Sequence, residues 1–250
     1  MRRIKAVIFD FIGTITDLAE YSLQRSEDKL YKSLVKSGYN ASSSDFFKAY
    51  KRAHDKFREI RYSQLTEITN AVWISEALNH LGYAATPEEE KVRIAVNAFF
   101  EDYVHALRIR SSAMLTLKKL HSKYKLGIVS NFTYAPVIYR ALRNLEINRF
   151  FNAVVVSDEV GWRKPSGNIF QKALNRLNVK AEEAFYVGDT PQEDILGANK
   201  VGMTTVFIPS QFNSLEDLRK SGQQPDHVIE KLSCLTDILT EQPDVRTPEP

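Results

Sequence analysis

Cysteine is nearly absent. Cys234 is the only one in 250 residues, so neither an internal disulfide nor a cysteine metal cluster can form. A reducing interior fits that scarcity. Charge of one sign is also missing: 34 Lys and Arg face 31 Asp and Glu, for a formal charge of +3, with no long run of one sign. Such a balance gives no case for a nucleic-acid partner, although a weak positive bias suits a small anionic substrate. Long apolar runs are lacking too. The stretch that opens at Lys5 and closes at Asp10 is far too short for a secretory hydrophobic segment or a membrane span. A cytoplasmic protein that engages no membrane is expected. The five histidines, His54, His80, His105, His121 and His227, show no ligand spacing and read as structural or exposed.

What is present is a mixture of short, buried-type strands and amphipathic helices. With 43% hydrophobic and 26% charged residues, the chain can hold one large α/β domain or a core with a smaller insert. Ala6 to Phe9 is β-branched, aromatic and apolar on both alternating faces, the pattern of a buried parallel strand. After Asp17 the texture becomes helical. Apolar stripes recur through Leu23, Leu30 and Leu34, through Phe46, Tyr50 and Phe57, and through Val72, Ile74 and Leu78. Thr86-Pro87-Glu88-Glu89 predicts a helix start with Thr86 as N-cap. Strand and helix alternate again from Leu115, with strands at 126–129, 153–156, 184–187 and 204–208, and a last strand and helix at 228–229 and 232–239. This organisation predicts an α/β fold: a Rossmann-like parallel sheet core over 1–16 and 96–240, and an all-helical insert over 17–95 after the first strand. The polar, proline-rich segment 241–250 predicts a disordered tail.

Ligands in open α/β sheets bind beyond the carboxyl ends of the strands. Asp10, Ser130 and Asp189 each follow such an end, so folding should gather them in one crevice. Lys164-Pro165 lies in the loop after the third strand of the core, where proline holds the lysine extended. Alone, each of these residues is turn chemistry, a helix cap or a solvated side chain. Jointly they form an ordered set: VIFDFIGTITD around Asp10, Ser130-Asn131, Lys164-Pro165, and GDTPQED from Gly188 to Asp194. In order, strand context and separation these motifs resemble those of the haloacid dehalogenase superfamily, and the resemblance extends to about Leu239. The helical stretch resembles the cap that many members insert after the first motif.

The resemblance implies a nucleophile at Asp10, which attacks phosphorus to give an aspartyl-phosphate. It implies Mg²⁺ held by Asp10, the backbone carbonyl of Ile12 and Asp189, with Asp194 completing or orienting the shell. Ser130, helped by the Asn131 backbone, would bind the phosphoryl group, and Lys164 would offset its charge. The expected partner is a small phosphorylated substrate, and a monomer or homodimer fits equally. One position departs from the phosphatase pattern. Most phosphatases of the family carry a second aspartate two residues after the first, as general acid and base, and here that residue is Ile12. Three readings follow: a Mg²⁺ phosphatase suited to good leaving groups, a metal-free 2-haloacid dehalogenase, or a catalytically silent binding protein. The acidic pair Asp189 and Asp194 favours the first, because extra carboxylates beside a metal-free nucleophile would only raise its pKa.

Overall fold

The computed structural model describes residues 3–240; the tail expected to be disordered, 241–250, lies outside them. Ala6–Phe9 forms β1 and is buried along its whole length, because it sits inside a parallel sheet with helices on both faces. Its flanking partners are β4 (Lys125–Ser130) and β6 (Ala184–Gly188). With β5 (Ala153–Val156), β7 (Thr204–Phe207) and β8 (His227–Val228), the sheet has the order β5-β4-β1-β6-β7-β8. Successive residues of β1 serve opposite layers. Val7 and Phe9 pack with apolar residues of α5 (Ala113–His121), α6 (Ala135–Asn144) and α11 (Leu235–Thr240). Ala6 and Ile8 pack with those of α8 (Gly167–Leu177) and α9 (Leu196–Val201). Two short helices, α7 (Ser157–Val160) and α10 (Leu215–Ser221), complete the core. Strand order reverses at β1, with β4 and β5 added on one side and β6, β7 and β8 on the other, which opens the crevice at the carboxyl ends of β1, β4 and β6.

Four helices follow β2 (Thr16–Leu18): α1 (Leu23–Lys36), α2 (Ser43–Gln64), α3 (Asn70–His80) and α4 (Glu90–Ala106). Ser22 and Ser42 start α1 and α2 by accepting hydrogen bonds from the backbone of Arg25 and Asp45, which satisfies donors left free at a helix start. The helix expected to begin at Thr86 instead has Glu89 as its N-cap. Thr86 closes a turn, its carbonyl accepting from the Glu89 N–H at 3.2 Å. The boundary expected between residues 95 and 96 falls inside α4. Val92, Val96, Phe99, Phe100 and Val104 are all buried at helical spacing, so nothing stops the helix until Leu107 turns extended. There β3 (Leu107–Ile109) pairs antiparallel with β2, Thr16 against Ile109 and Leu18 against Leu107. This two-stranded ladder brackets the four helices, here called the cap.

The cap is also tied to the core at a second place. Thr66 and Trp162 form an antiparallel bridge, and Glu67 N donates to Gly161 O at 2.9 Å while Arg163 N donates to Leu65 O at 3.0 Å. Among the described residues no helix is long and apolar enough to cross a membrane.

Candidate active site

Asp10 follows β1, Ser130 ends β4, and Asp189 follows β6, so the three adjacent strands deliver them to one point. The turn after Asp10 is closed by the Phe11 carbonyl, which accepts from Ile15 N, Thr16 N and Thr16 Oγ1 at 3.0, 2.9 and 3.0 Å. Gly13 has φ +94° within this turn, and a Cβ there would collide with the Asp189 carboxylate. Only glycine lets the turn and the carboxylate share that space. Gly188 has the same relation to Asp194. Arg110 clasps the turn from outside, donating to Gly13 O at 2.6 Å and to Pro209 O at 2.9 Å.

Lys164 is buried at the centre of the cluster. Its Nζ lies 2.6 Å from Asp10 Oδ1 and 2.6 Å from Asp194 Oδ1, with Val129 O and the Tyr186 hydroxyl both at 3.2 Å. Carboxylate oxygens of Asp10, Asp189 and Asp194 all lie within 4.8 Å of one another. The two oxygens of Asp194 are committed: Oδ1 accepts from Lys164 and Tyr186, and Oδ2 from Thr190 N at 2.9 Å. Asp189 Oδ2 accepts from Ser210 Oγ at 2.5 Å and Asn213 Nδ2 at 3.3 Å. Ser130, Ile12 and Asn131 line the same cavity, of about 260 Å³. The Asn131 side chain is spent on the Lys164 loop, accepting from Lys164 N at 2.7 Å and donating to Lys164 O at 3.1 Å.

Three buried carboxylates against one lysine leave an excess of negative charge out of water. Burial pushes Asp10 well above the usual carboxylate range; the lysine opposes this, and the charges of Asp194 and Asp189 add to it. Burial and the Asp194 charge push Asp189 up to about 6. For Lys164, burial disfavours the charged form, but Asp10 and Asp194 more than reverse it and hold its pKa well above the ordinary value. An oxygen-rich, over-negative cluster of this kind fits a small hard divalent cation such as Mg²⁺.

The family model for haloacid dehalogenase-like hydrolases matches residues 4–202. The chain belongs to that family. It is 30% identical to a glyceraldehyde 3-phosphate phosphatase of Methanopyrus kandleri over 95% of this chain and 98% of that protein. A glyceraldehyde 3-phosphate phosphatase of Pyrococcus furiosus is 29% identical over 96% and 94%. A 2-haloacid dehalogenase structure from Pseudomonas syringae superposes with a TM-score of 0.69 at 24% identity, covering 96% of this chain and all of that one; it speaks for the fold alone.

Several groups around the family motifs escape a motif reading. Tyr186 lies inside β6, where its hydroxyl donates to Asp194 at 2.9 Å. Ser210 and Asn213 follow β7, and the strand-end rule that found Asp10 would have pointed to this loop as well. Glu67, between α2 and α3, accepts from Arg61 at 2.7 Å, Arg163 at 3.0 Å and Ser157 at 2.5 Å. Arg163 also reaches Glu193 at 3.3 Å, and Glu193 accepts from Asn131 at 2.7 Å. A charged chain thus runs from the cap to the lysine loop. Glu67 carried no sequence signal, since an acid between helices reads as a solvated loop residue.

Proposed function

We propose that this hydrolase is a Mg²⁺-dependent phosphatase of a small phosphorylated metabolite, working through an aspartyl-phosphate on Asp10. The observation that carries this reading is the buried triad Asp10, Asp189 and Asp194 closed around Lys164. A carboxylate attacking carbon in a metal-free dehalogenase would be burdened by such neighbours, which raise its pKa. The phosphatases among the relatives support the same choice.

Asp10, Asp189 and the Ile12 carbonyl would hold the metal. Asp194 is better suited to aiming Lys164 and the Thr190 backbone, because both of its oxygens already have partners. Bound there, Mg²⁺ would supply positive charge to the phosphoryl oxygens and offset the nucleophile's own charge. Lys164 shares Asp10 Oδ1, which leaves Oδ2 of the nucleophile for phosphorus or metal. The Ser130 hydroxyl, buried at the end of β4, donates to a phosphoryl oxygen. Asn131 fixes the Lys164 loop through its side chain and leaves only its backbone for substrate. Ile12 moves no proton. General acid–base help is worth about 10²–10⁴ in rate, so turnover favours leaving groups that depart without it.

Assays against phosphate esters, acyl phosphates and 2-haloacids, each with Mg²⁺ and with EDTA, test the reading. Phosphate release that EDTA abolishes is expected. Halide release unaffected by EDTA, without phosphate release, would overturn it.

A further inference from the structure

We propose that the leaving group is aromatic: the protein hydrolyses phosphomonoesters of phenols and seats the ring in the cavity beside the phosphate site. This rests on the phosphatase reading and narrows it to a substrate class. The cavity is an open cleft of about 670 Å³, in the range of pockets that bind drug-sized ligands and far more than a three-carbon sugar fills. Phe47, Tyr50, Trp73, Phe100, Tyr103 and Phe132 form much of its wall. Tyr103 and Phe132, whose ring centroids lie 5.5 Å apart, also line the chamber that holds Asp10, Ser130 and Lys164. A ring seated in one chamber therefore adjoins a phosphoryl group seated in the other.

The charges of the wall disfavour a second phosphate. Lys51 is paired with Asp55 at 2.8 Å and Arg61 with Glu67 at 2.7 Å, and Glu27 adds a further carboxylate. Each cation has an acidic partner, so the wall offers little unbalanced positive charge and suits a neutral ring better than a second phosphate.

The chemistry of Ile12 points the same way. As the Asp10 oxygen bonds to phosphorus, the bond from phosphorus to the ester oxygen breaks, and its electron pair leaves on that oxygen. An alkoxide needs a proton at that moment, and Ile12 has none to give. A phenol ionises near pH 10, as the tyrosine side chain does, so it departs as phenolate unaided. Tyr103, the hydroxyl-bearing residue that lines both chambers, is held protonated by burial well above its ordinary range, a poor acid at neutral pH. Water then hydrolyses the acyl phosphate on Asp10 to release inorganic phosphate.

Two measurements on the full chain test the proposal. In calorimetry with Mg²⁺, phenylphosphonate should bind at least about tenfold more tightly than methylphosphonate, the return expected from burying one ring. In steady-state kinetics, kcat/KM for phenyl phosphate should exceed that for glycerol 3-phosphate by about a hundredfold or more, the low end of acid–base assistance. Phe47→Ala should reduce the phenyl phosphate to acetyl phosphate ratio of kcat/KM by about tenfold, with thermal unfolding recorded beside it. Equal phosphonate affinities, or acetyl phosphate turnover with no aryl preference, overturn the aryl assignment alone. No phosphate release from any substrate, with phenylphosphonate still preferred, overturns the phosphatase reading and the hydrolysis proposed with it.

Discussion

Ile12 contributes a carbonyl and an apolar side chain where a proton donor would serve alkyl phosphates. Ile12→Asp should therefore raise turnover of alkyl phosphates more than that of acyl phosphates, whose leaving groups need least protonation. The gain should fall well short of the upper end of the 10²–10⁴ range, because the surroundings, Tyr103, Phe132 and Phe212 among them, are not built to orient a carboxylate. Equal rate changes for both classes, in a variant of unchanged thermal stability, would count against this account. Asp10, Ser130, Lys164 and Asp189 were legible in the sequence because each belongs to a short motif anchored at a strand end or beside a proline. Their partners were not. Tyr186 reads as an ordinary strand aromatic, and only the folded geometry shows its hydroxyl against Asp194. The Asn131 side chain, which no motif assigns, is bound at both ends to the backbone of Lys164.

The bridge between residues 65–67 and 161–163 works as an element, and its strength lies in Glu67. The Glu67 and Arg163 side chains are 1% and 4% exposed, and removing one partner of a buried pair typically costs about 3–5 kcal/mol through the charge left behind. Glu67→Ala should lower the urea midpoint accordingly, and Glu67→Ala/Arg163→Met should recover part of the loss. Because Arg163 leads through Glu193 to Asn131 and the Lys164 loop, the single variant should also raise KM for every phosphorylated substrate. A full-strength site in a destabilised Glu67→Ala protein would show the chain of charges to be purely structural. Elements were legible where apolar periodicity was clean, as in β1 and α1. The start of α4 was misplaced because a threonine–proline signal marks a turn as readily as an N-cap. The expected edge of the insert, after residue 95, lies inside α4, where the stripe through Val96 and Val104 is as regular as the stripe before it.

Over the whole molecule, metal and protons should compete for the same cluster. Asp189 is raised from 3.8 to about 6 in the folded protein. Without metal, its contribution to stability is fully present below pH 3.8 and is lost as pH rises through about 6. Mg²⁺ binding needs the carboxylates ionised, so the rise in Tm on adding Mg²⁺ should be large at pH 7.5 and shrink as pH falls through about 6. Asp189→Asn should abolish most of that rise at both ends of the range. A Tm increment independent of pH would place the metal elsewhere. The ladder of β2 and β3 also bears on how the chain reaches this structure. β1 must find β4 across all the residues between Phe9 and Lys125, a separation that penalises closure. Once the helices have formed and Leu18 lies against Leu107, only 10–17 and 108–124 remain as the loop. That shortening is about two doublings, at about 0.6 kcal/mol each. The cap thus acts as a splint for the central strand pairing, and its folding should precede the sheet. Leu30→Ala, in the α1 face buried by the cap, should slow refolding in stopped-flow measurements rather than only speed unfolding. An unchanged folding rate would mean that the sheet forms without waiting for the helices above it.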